Sequence, residues 1–212
     1  MSDGDTDRNG RLVLIRHGET PWSRVGKHTS WTDLTLTERG EQQARDQGSM
    51  LRGHKFAMVL CSPRMRARRT SALAGYAHPT IDDDLVEWDY GGYEGITTKQ
   101  IVASRDGKPW DLWNDGVIPG EQTPGESADQ VMARAQRVID KCTDCLKAGE
   151  DVLLVAHGHF LRMLAVTWAG LPVTAGAVIR LDTGSVCELG YEHEQQAVLR
   201  WNCPPDPRAD FS

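Results

Sequence analysis

The chain has 212 residues, a length that fits one α/β domain, and 39% of them are hydrophobic, enough for one sizeable core. Global disorder is excluded. Lysine and arginine number 24 against 30 aspartates and glutamates, a net charge of −6, so we expect no nucleic-acid partner. No apolar run, including the one at residues 152–156, approaches the length of a bilayer span, so no membrane partner is expected either.

The chain ends and the cysteines bear on location. Residues 1–10 are polar and acid-rich, unlike a secretory signal, and we expect a disordered leader there. Residues 203–212 are expected to form a flexible tail. Five scattered cysteines in a chain of this size indicate free thiols in a reducing compartment, which favours a cytoplasmic location.

Strands and helices alternate along the chain. A buried strand at 11–15 is followed by a helix that begins after Thr37 and stops at Gly53, and a strand at 56–61 is followed by a helix at 65–74. The longest helix is predicted at 126–146. A third strand at 151–156 leads into a helix at 160–168, and three short strands are predicted at 178–181, 187–191 and 197–201.

A long irregular stretch, residues 82–126, lies between the second and third units and contains one short predicted helix at 98–103. We expect a loop-rich lid at about 88–125, because loops of this length are usually functional. Trp110 and Trp113 are either core anchors or lid residues over the site.

This order of elements predicts a single domain at 11–202 with an α/β fold. Its central sheet is expected to be mostly parallel, covered by helices on both faces, with some antiparallel strands added late. Ligands collect at the carboxyl ends of parallel strands. Those ends carry Arg16 and His17, then residues 62–66, then residues 157–159.

Histidines and arginines therefore follow three strands that should end at one rim. Such a cluster in an acidic protein is a local anion site, and phosphate is the favoured anion because the planar arginine fork matches it. A neutral imidazole in that cluster has a lone pair and can attack phosphorus.

Six segments carry a resemblance to a known family. They are LVLIRHGETPWS, LTLTERGEQQA, CSPRMRARRTS, DDDLVEWDYGGYEG, PGES and LLVAHGHFLR, and they cover residues 11 to about 165. In this order they resemble the phosphoglycerate mutase-like branch of the histidine phosphatase superfamily. The resemblance implies a three-layer α/β/α fold.

The same resemblance implies roles for the rim residues. His17 would be the nucleophile, with the carbonyl of Gly18 holding one of its ring nitrogens, and Glu87 would give a proton to the leaving oxygen. Catalytic His157 would also clamp the phosphate with Arg16, Arg66 and Gly158. The remaining substrate would meet Ser23, Thr29, Ser30, Tyr90 and His159.

The sequence favours hydrolysis over isomerisation. Family mutases typically have asparagine where Ser23 stands, and a lysine and paired arginines further on; here position 98 is threonine, with Lys99 adjacent, and residues 109–116 contain no arginine pair. The stretch DDDLVEWDYGGYEG looks more like members that hydrolyse small sugar phosphates. We therefore expect a metal-independent phosphomonoesterase that forms a phosphohistidine on His17 and uses Glu87 as proton donor.

Other readings remain open. One is a 2,3-bisphosphoglycerate-dependent phosphoglycerate mutase, and another is a catalytically silent module that binds phosphorylated metabolites. A metal at His157 and His159 is not expected, because no acidic residues with ligand spacing accompany them. No cofactor is expected. The partner expected is a small phosphorylated metabolite, and a homodimer is the default assembly.

Overall fold

The computed structural model describes residues 9–206, so the predicted leader at 1–8 and the tail at 207–212 lie outside the described residues. Six strands form one sheet. They are β1 Leu12–Arg16, β2 Met58–Cys61, β3 Thr80–Ile81, β4 Val152–Ala156, β5 Val186–Glu192 and β6 Gln195–Cys203.

The sheet has the order β3-β2-β4-β1-β5-β6. The first four strands in this order are parallel to one another, whereas β5 and β6 are antiparallel additions. The predicted mostly parallel sheet with late antiparallel strands is therefore confirmed. In the register, Arg16 pairs with Ala156 and Cys61 pairs with Val155, so β1, β2 and β4 end at the same level.

Seven α-helices surround the sheet within residues 9–206. They are α1 Pro21–Arg24, α2 Glu38–Met50, α3 Met65–Leu73, α4 Thr98–Ser104, α5 Leu112–Asp115, α6 Ala128–Lys147 and α7 Gly158–Trp168. Short 3-10 helices occupy Asp83–Leu85 and Val173–Ala177. The helices predicted from periodicity are present with ends shifted by one or two residues in most cases.

The two faces of the sheet bury separate cores. Successive side chains of a strand point to opposite faces. In β1, Leu12 and Leu14 join the core beneath α6 and α7, whereas Val13 and Ile15 join the core beneath α2 and α3. The three-layer α/β/α arrangement is confirmed.

The predicted strand at 178–181 is wrong. A 3-10 helix ends at Ala177, Val178 is 83% exposed, and residues 179–181 continue as a loop. The reason is that this run connects the 3-10 helix to the turn before β5, and the carbonyl of Arg180 accepts from the Trp201 side chain at 2.7 Å.

The domain bounds also need correction at both ends. The N–H of Gly10, assigned to the leader, donates to the carbonyl of Leu146 at 2.7 Å. Cys203, assigned to the tail, is the last residue of β6. Both belong to the folded domain.

The expected lid stretch contributes to the core instead of lying loosely over it. Trp110 and Trp113 are buried, and Trp113 packs edge-to-face on Trp88 with ring centroids 5.3 Å apart. Of the two interpretations of these tryptophans, the structure supports the first, because both side chains belong to the hydrophobic core. A lid motion of residues 88–125 stays a prediction.

Five cysteines, all within residues 9–206, are free thiols. In the same part of the chain, no helix is both long and apolar enough to cross a membrane.

Ser127 caps the longest helix and gives a stability test. Its hydroxyl accepts from the N–H of Gln130, and the Gln130 side chain accepts from the Ser127 N–H. We expect Ser127→Ala to lower the free energy of unfolding by about 1 kcal/mol, because it removes this capping box. Urea denaturation measures the change. The matched control is Ser49→Ala, whose half-buried hydroxyl donates to the Arg45 carbonyl inside α2 and caps no helix end; an equal loss in both variants would contradict the capping role.

Candidate active site

Four of the predicted rim residues, Arg16, His17, Gly158 and His159, line one cavity at the carboxyl ends of β1 and β4. Its volume is about 160 Å³, below the ~300–1,000 Å³ of pockets for drug-sized ligands, so it suits a small metabolite. The described residues that line it are Arg16, His17, Thr20, Ser23, Gly26, Lys27, His28, Thr29, Glu87, Tyr90, Gly158, His159, Arg162 and Leu181.

His17 follows β1 directly and is buried. Its Nδ1 lies 2.7 Å from the carbonyl oxygen of Gly18, the contact that the sequence resemblance implied. Because a carbonyl only accepts, Nδ1 carries the proton and Nε2 keeps a lone pair. Burial, followed by the nearby Arg66 and Arg16 charges, holds the pKa of His17 well below its usual range, so the imidazole is neutral at pH 7.

The Gly18 carbonyl is positioned by close backbone packing. A Cβ on Gly18 would lie 2.1 Å from the carbonyl oxygen of Gly40 in α2, so only glycine fits there. The Gly18 N–H donates to the hydroxyl of Thr70 at 3.1 Å. These contacts tie the orientation of His17 to both helices on that face of the sheet.

Arg16 lines the cavity and is packed against α7. A Cβ on Gly158 would lie 3.0 Å from the guanidinium carbon of Arg16, which explains why glycine begins this helix. One guanidinium nitrogen, Nη1, donates to the carbonyl of Leu181. Nε is buried without a hydrogen bond within residues 9–206. Arg16 therefore has a donor that an oxyanion can use.

A loop after the 3-10 helix at Val173–Ala177 holds both Arg16 and His17. The N–H of Arg16 donates to Ser185 at 3.2 Å, and the N–H of Gly184 donates to His17 at 3.1 Å. Asn202, in β6 with a positive φ of 55°, accepts from the Asp182 N–H and the Ser185 hydroxyl, both at 2.7 Å. The loop is thus fixed by the last strand of the sheet.

Arg66 and His157 lie behind the cavity wall and do not line it. Arg66 donates through Nε to Nδ1 of His157 at 3.2 Å, and its other nitrogens donate to loop carbonyls, namely those of Thr29, Ser30 and Thr32. His157 therefore carries its proton on Nε2, 2.8 Å from the hydroxyl of Ser62. Burial and then Arg66 lower the pKa of His157 well below its usual range.

This arrangement differs from the expected clamp, in which Arg66 and His157 both touch phosphate. Both side chains are occupied by protein groups, because three loop carbonyls and Ser62 compete for their donors. The His157 ring and the Arg66 charge still lie close to His17. The ring centroids of His17 and His157 are 5.1 Å apart. Direct contact of Arg66 and His157 with phosphate stays a prediction.

Glu87 reaches the cavity from the loop after the 3-10 helix at Asp83–Leu85. Its Oε1 accepts from the N–H groups of Trp88 and Phe160, at 2.9 and 2.8 Å. Among the described residues, Oε2 accepts only from the His159 N–H, at 3.1 Å. The carboxyl group of Glu87 thus caps the N-terminus of α7, because the side chain of the N-cap residue His157 makes no capping hydrogen bond. Oε2 still has a lone pair that can bind a proton.

The predicted substrate-binding residues divide into two groups. Tyr90 and His159 line the cavity and contact each other, with the phenol oxygen 2.6 Å from Nδ1 of His159. Ser23 and Thr29 also line it, although the Ser23 hydroxyl serves the capping box of α1. Ser30 does not line it, because its hydroxyl and N–H donate to Glu94.

Sequence reasoning missed several residues of the site. Lys27, His28, Thr20 and Leu181 come from loops and a helix cap, where no periodic pattern identifies them. Arg162 could have been found, since it lies one helical turn after Gly158 on a predicted helix. Glu94 supports the carbonyls that hold Arg66, and only the folded loop reveals this.

Within residues 9–206, no group of three or more histidine, cysteine or carboxylate side chains is arranged to hold a metal ion.

Two buried histidines, His17 and His157, and two half-buried ones, His28 and His159, make stability depend on pH. Burial lowers the pKa of His28 to about 4 and is the first cause of the lowered pKa of His17, His157 and His159. Below their ordinary value of 6.5 the unfolded chain binds more protons than the folded one, so the free energy of unfolding falls as pH falls. Each histidine contributes a slope of up to about 1.4 kcal/mol per pH unit.

Urea denaturation at pH 7.5, 6.5 and 5.5 checks this dependence. His28→Asn should reduce the slope between pH 6.5 and about 4, because it removes one of the four groups. The control is the exposed His78→Asn, which should leave the slope unchanged. A stability that is constant from pH 7.5 to 5.5 would rule out buried neutral histidines.

Comparison with known proteins agrees with this geometry. The chain is 40% identical over 207 residues to an acid phosphatase of Mycobacterium tuberculosis, covering 95% of this chain and 98% of the relative. It is 37% identical over 187 residues to a sedoheptulose 1,7-bisphosphatase of Saccharomyces cerevisiae, covering 77% and 69%. A probable phosphoglycerate mutase of Salmonella choleraesuis is 32% identical over 197 residues, covering 90% and 89%.

A solved structure shares the fold closely. The product of an open reading frame of Mycobacterium tuberculosis superposes with a TM-score of 0.85 at 38% identity, covering 93% of this chain and all of that one. The family model for branch 1 of the histidine phosphatase superfamily matches residues 12–204. With this match over nearly all of the folded domain, the chain belongs to branch 1 of the histidine phosphatase superfamily.

Proposed function

We propose that this protein is a phosphomonoesterase that hydrolyses small phosphate esters, with sugar phosphates as the substrate class. The observation that carries the proposal is the neutral His17, whose Nδ1–H is held by Gly18 while Nε2 remains available beside Arg16. The names of the bisphosphatase and acid phosphatase relatives support this substrate class.

In the first half-reaction, Nε2 of His17 attacks the phosphorus and the bond to the ester oxygen breaks. Glu87 gives its proton from Oε2 to that oxygen, so the alcohol leaves neutral. Charge on the transferring phosphoryl oxygens is stabilised by Arg16, whose position is fixed before substrate arrives. Arg66, which contacts His157 and does not line the cavity, adds positive charge that also stabilises the phosphoryl oxygens.

In the second half-reaction, water attacks the phosphohistidine and the N–P bond breaks. Glu87, now a carboxylate, takes the proton from that water, which restores the starting state. The net change is hydrolysis of one ester bond to an alcohol and inorganic phosphate. The proposed mechanism requires no metal ion and no cofactor.

The His17→Ala variant tests the nucleophile. We expect phosphate release from a small sugar phosphate to drop to background, since the substitution removes the imidazole proposed to attack phosphorus. The wild type, incubated with a chelator, should keep its activity. A His17→Ala variant that still turns over would sink the phosphohistidine mechanism.

Glu87→Gln tests the proton donor through the leaving group. The amide cannot give up a proton, so kcat for an alkyl phosphate should fall by roughly 10²–10⁴. Hydrolysis of a nitrophenyl phosphate should fall much less, because its leaving group departs without protonation. Steady-state kinetics on both substrates measures this, and equal losses on the two would contradict general acid catalysis by Glu87.

The reaction product distinguishes a phosphatase from a mutase. Incubation with 3-phosphoglycerate and 2,3-bisphosphoglycerate should yield free phosphate if the protein is a phosphatase, and the 2-phospho isomer if it is a mutase. The absence of an arginine pair at residues 109–116 favours the phosphatase.

Location and assembly complete the proposal. We infer a cytoplasmic location from the five free thiols. A homodimer is proposed as the default assembly for a small enzyme of this class. The net charge of −6 argues against nucleic acid as a partner.

A further inference from the structure

One polar side chain lies on the buried face of α2. The buried residues of this helix are Gly40, Ala44, Gln47 and Met50, which recur every three or four positions and therefore share one face. Gln47 is completely buried there. A leucine or a methionine would fill this position without bringing a polar group into the interior, so packing alone does not account for the amide.

The amide nitrogen of Gln47 bonds to two carbonyls beside the candidate active site. Nε2 donates to the carbonyl of Arg16 at 3.0 Å and to the carbonyl of Ser185 at 3.2 Å. A side-chain amide nitrogen carries two hydrogens, so it can serve both carbonyls at once. Arg16 ends β1 and Ser185 precedes β5, and Gln47 thus bridges the two segments.

The amide oxygen of the same side chain makes no such bond. Within residues 9–206, Oε1 of Gln47 is buried and has no hydrogen-bond partner. A buried acceptor that no donor satisfies lowers stability. The side chain therefore places its nitrogen well and its oxygen badly, which stability alone would not favour.

A second glutamine, one turn earlier in α2, makes a similar bridge. Oε1 of Gln43 accepts from the N–H of Glu19 at 2.8 Å, and its Nε2 donates to the carbonyl of Thr183 at 3.0 Å. Gly184 packs directly on this side chain, since a Cβ on Gly184 would lie 2.8 Å from the Cβ of Gln43. The two glutamines thus connect the chain after β1 to the turn before β5.

His17 lies between the two bridges. Its carbonyl accepts from the N–H of Gly184 at 3.1 Å, and the N–H of Arg16 donates to the carbonyl of Ser185 at 3.2 Å. The backbone that carries the imidazole is therefore held on both sides. A neutral amide achieves this without adding a charge beside Arg16 and His17, whereas a lysine or an arginine would add one.

We infer that Gln47, assisted by Gln43, is a positioning residue that aims Nε2 of His17 at the phosphorus. The inference rests on the proposed function and adds to it the helix that keeps the nucleophile in line. Gln47 does not line the cavity and touches no substrate. The guanidinium of Arg16 has separate supports, the Leu181 carbonyl and Gly158, so Gln47 acts on the attack and not on phosphate binding.

The test replaces glutamine with methionine, which is similar in length but cannot donate a hydrogen bond. The proteins are wild type, Gln47→Met, Gln47→Asn, Gln43→Met and the matched control Gln42→Met, on the exposed side of the same helix. For each, kcat/KM for a small sugar phosphate reports transfer to His17, and the inhibition constant of inorganic phosphate reports binding alone. Urea denaturation gives the folded fraction, so that rates are expressed per folded molecule.

We expect Gln47→Met to lower kcat/KM by about 10- to 100-fold, because a small misplacement of a reacting group is costly. The inhibition constant of phosphate should change by less than about threefold, since the supports of the Arg16 guanidinium remain. Gln47→Asn, whose amide is one methylene too short to reach both carbonyls, should lose a similar factor. Gln43→Met should lose about threefold, because its bridge lies further from His17. Gln42→Met should match the wild type.

Two results would overturn the inference. One is a kcat/KM per folded molecule that stays at the wild-type level in both Gln47 variants, which indicates that the amide serves stability only. The other is a parallel loss of phosphate binding and kcat/KM, which indicates a general distortion of the cavity. Failure of the proposed function is recognised separately, since the wild type itself would then release no phosphate, and the inference would fall with it.

Discussion

Parallel pairing of β1, β2 and β4 in one register is the constraint on which the site depends. Arg16 pairs with Ala156 and Cys61 with Val155, so the residues that follow these strands begin at the same edge of the sheet. His17, Ser62 and His157 occupy those first positions. Backbone pairing thus brings together an imidazole, a hydroxyl and a second imidazole that are up to 140 residues apart in the chain. A slip of one residue would turn every one of these side chains to the wrong side.

At this edge of the sheet, burial and nearby positive charge together lower the pKa values of His17 and His157. Arg66 is buried beside His157. Among the described residues, the nearest carboxylate to its guanidinium is that of Asp33, at 4.0 Å. Carbonyl dipoles of the loop at 29–32 satisfy its donors, and Glu94 in turn fixes that loop through Ser30 and Thr32. Positive charge near an imidazole disfavours a second positive charge on it. Burial first, and then the charge of Arg66, lower the pKa of His17 and keep the proposed nucleophile neutral.

Much of this could be predicted from the sequence, because short apolar runs that end in polar residues identify buried strands and their carboxyl ends. The rim residues and the Gly18 contact of His17 follow from that pattern and from the resemblance to the family.

The side chains behind the rim could not be predicted. Whether Arg66 faces a ligand or three carbonyls depends on the path of the loop at 29–32, and that loop has no periodic signal. The run at 178–181 was predicted as a strand from its residue types, because the sequence does not show the 3-10 helix that ends directly before it. Arg162 was overlooked for a different reason, since its helical spacing was visible but the carbonyls that orient it lie in a 3-10 helix that was not predicted.

Asn202 connects the end of the chain to its beginning. It holds the turn that receives Arg16 and His17, although almost 190 positions separate it from them. The first strand and its two functional side chains are synthesised early, yet their supporting turn is complete only when the final strand has joined the sheet. A nascent chain therefore contains the proposed nucleophile long before the strand that fixes its supporting turn has been synthesised. A chain that ends just upstream of β6 would have His17 and Arg16 without the Asn202 contacts that hold this turn.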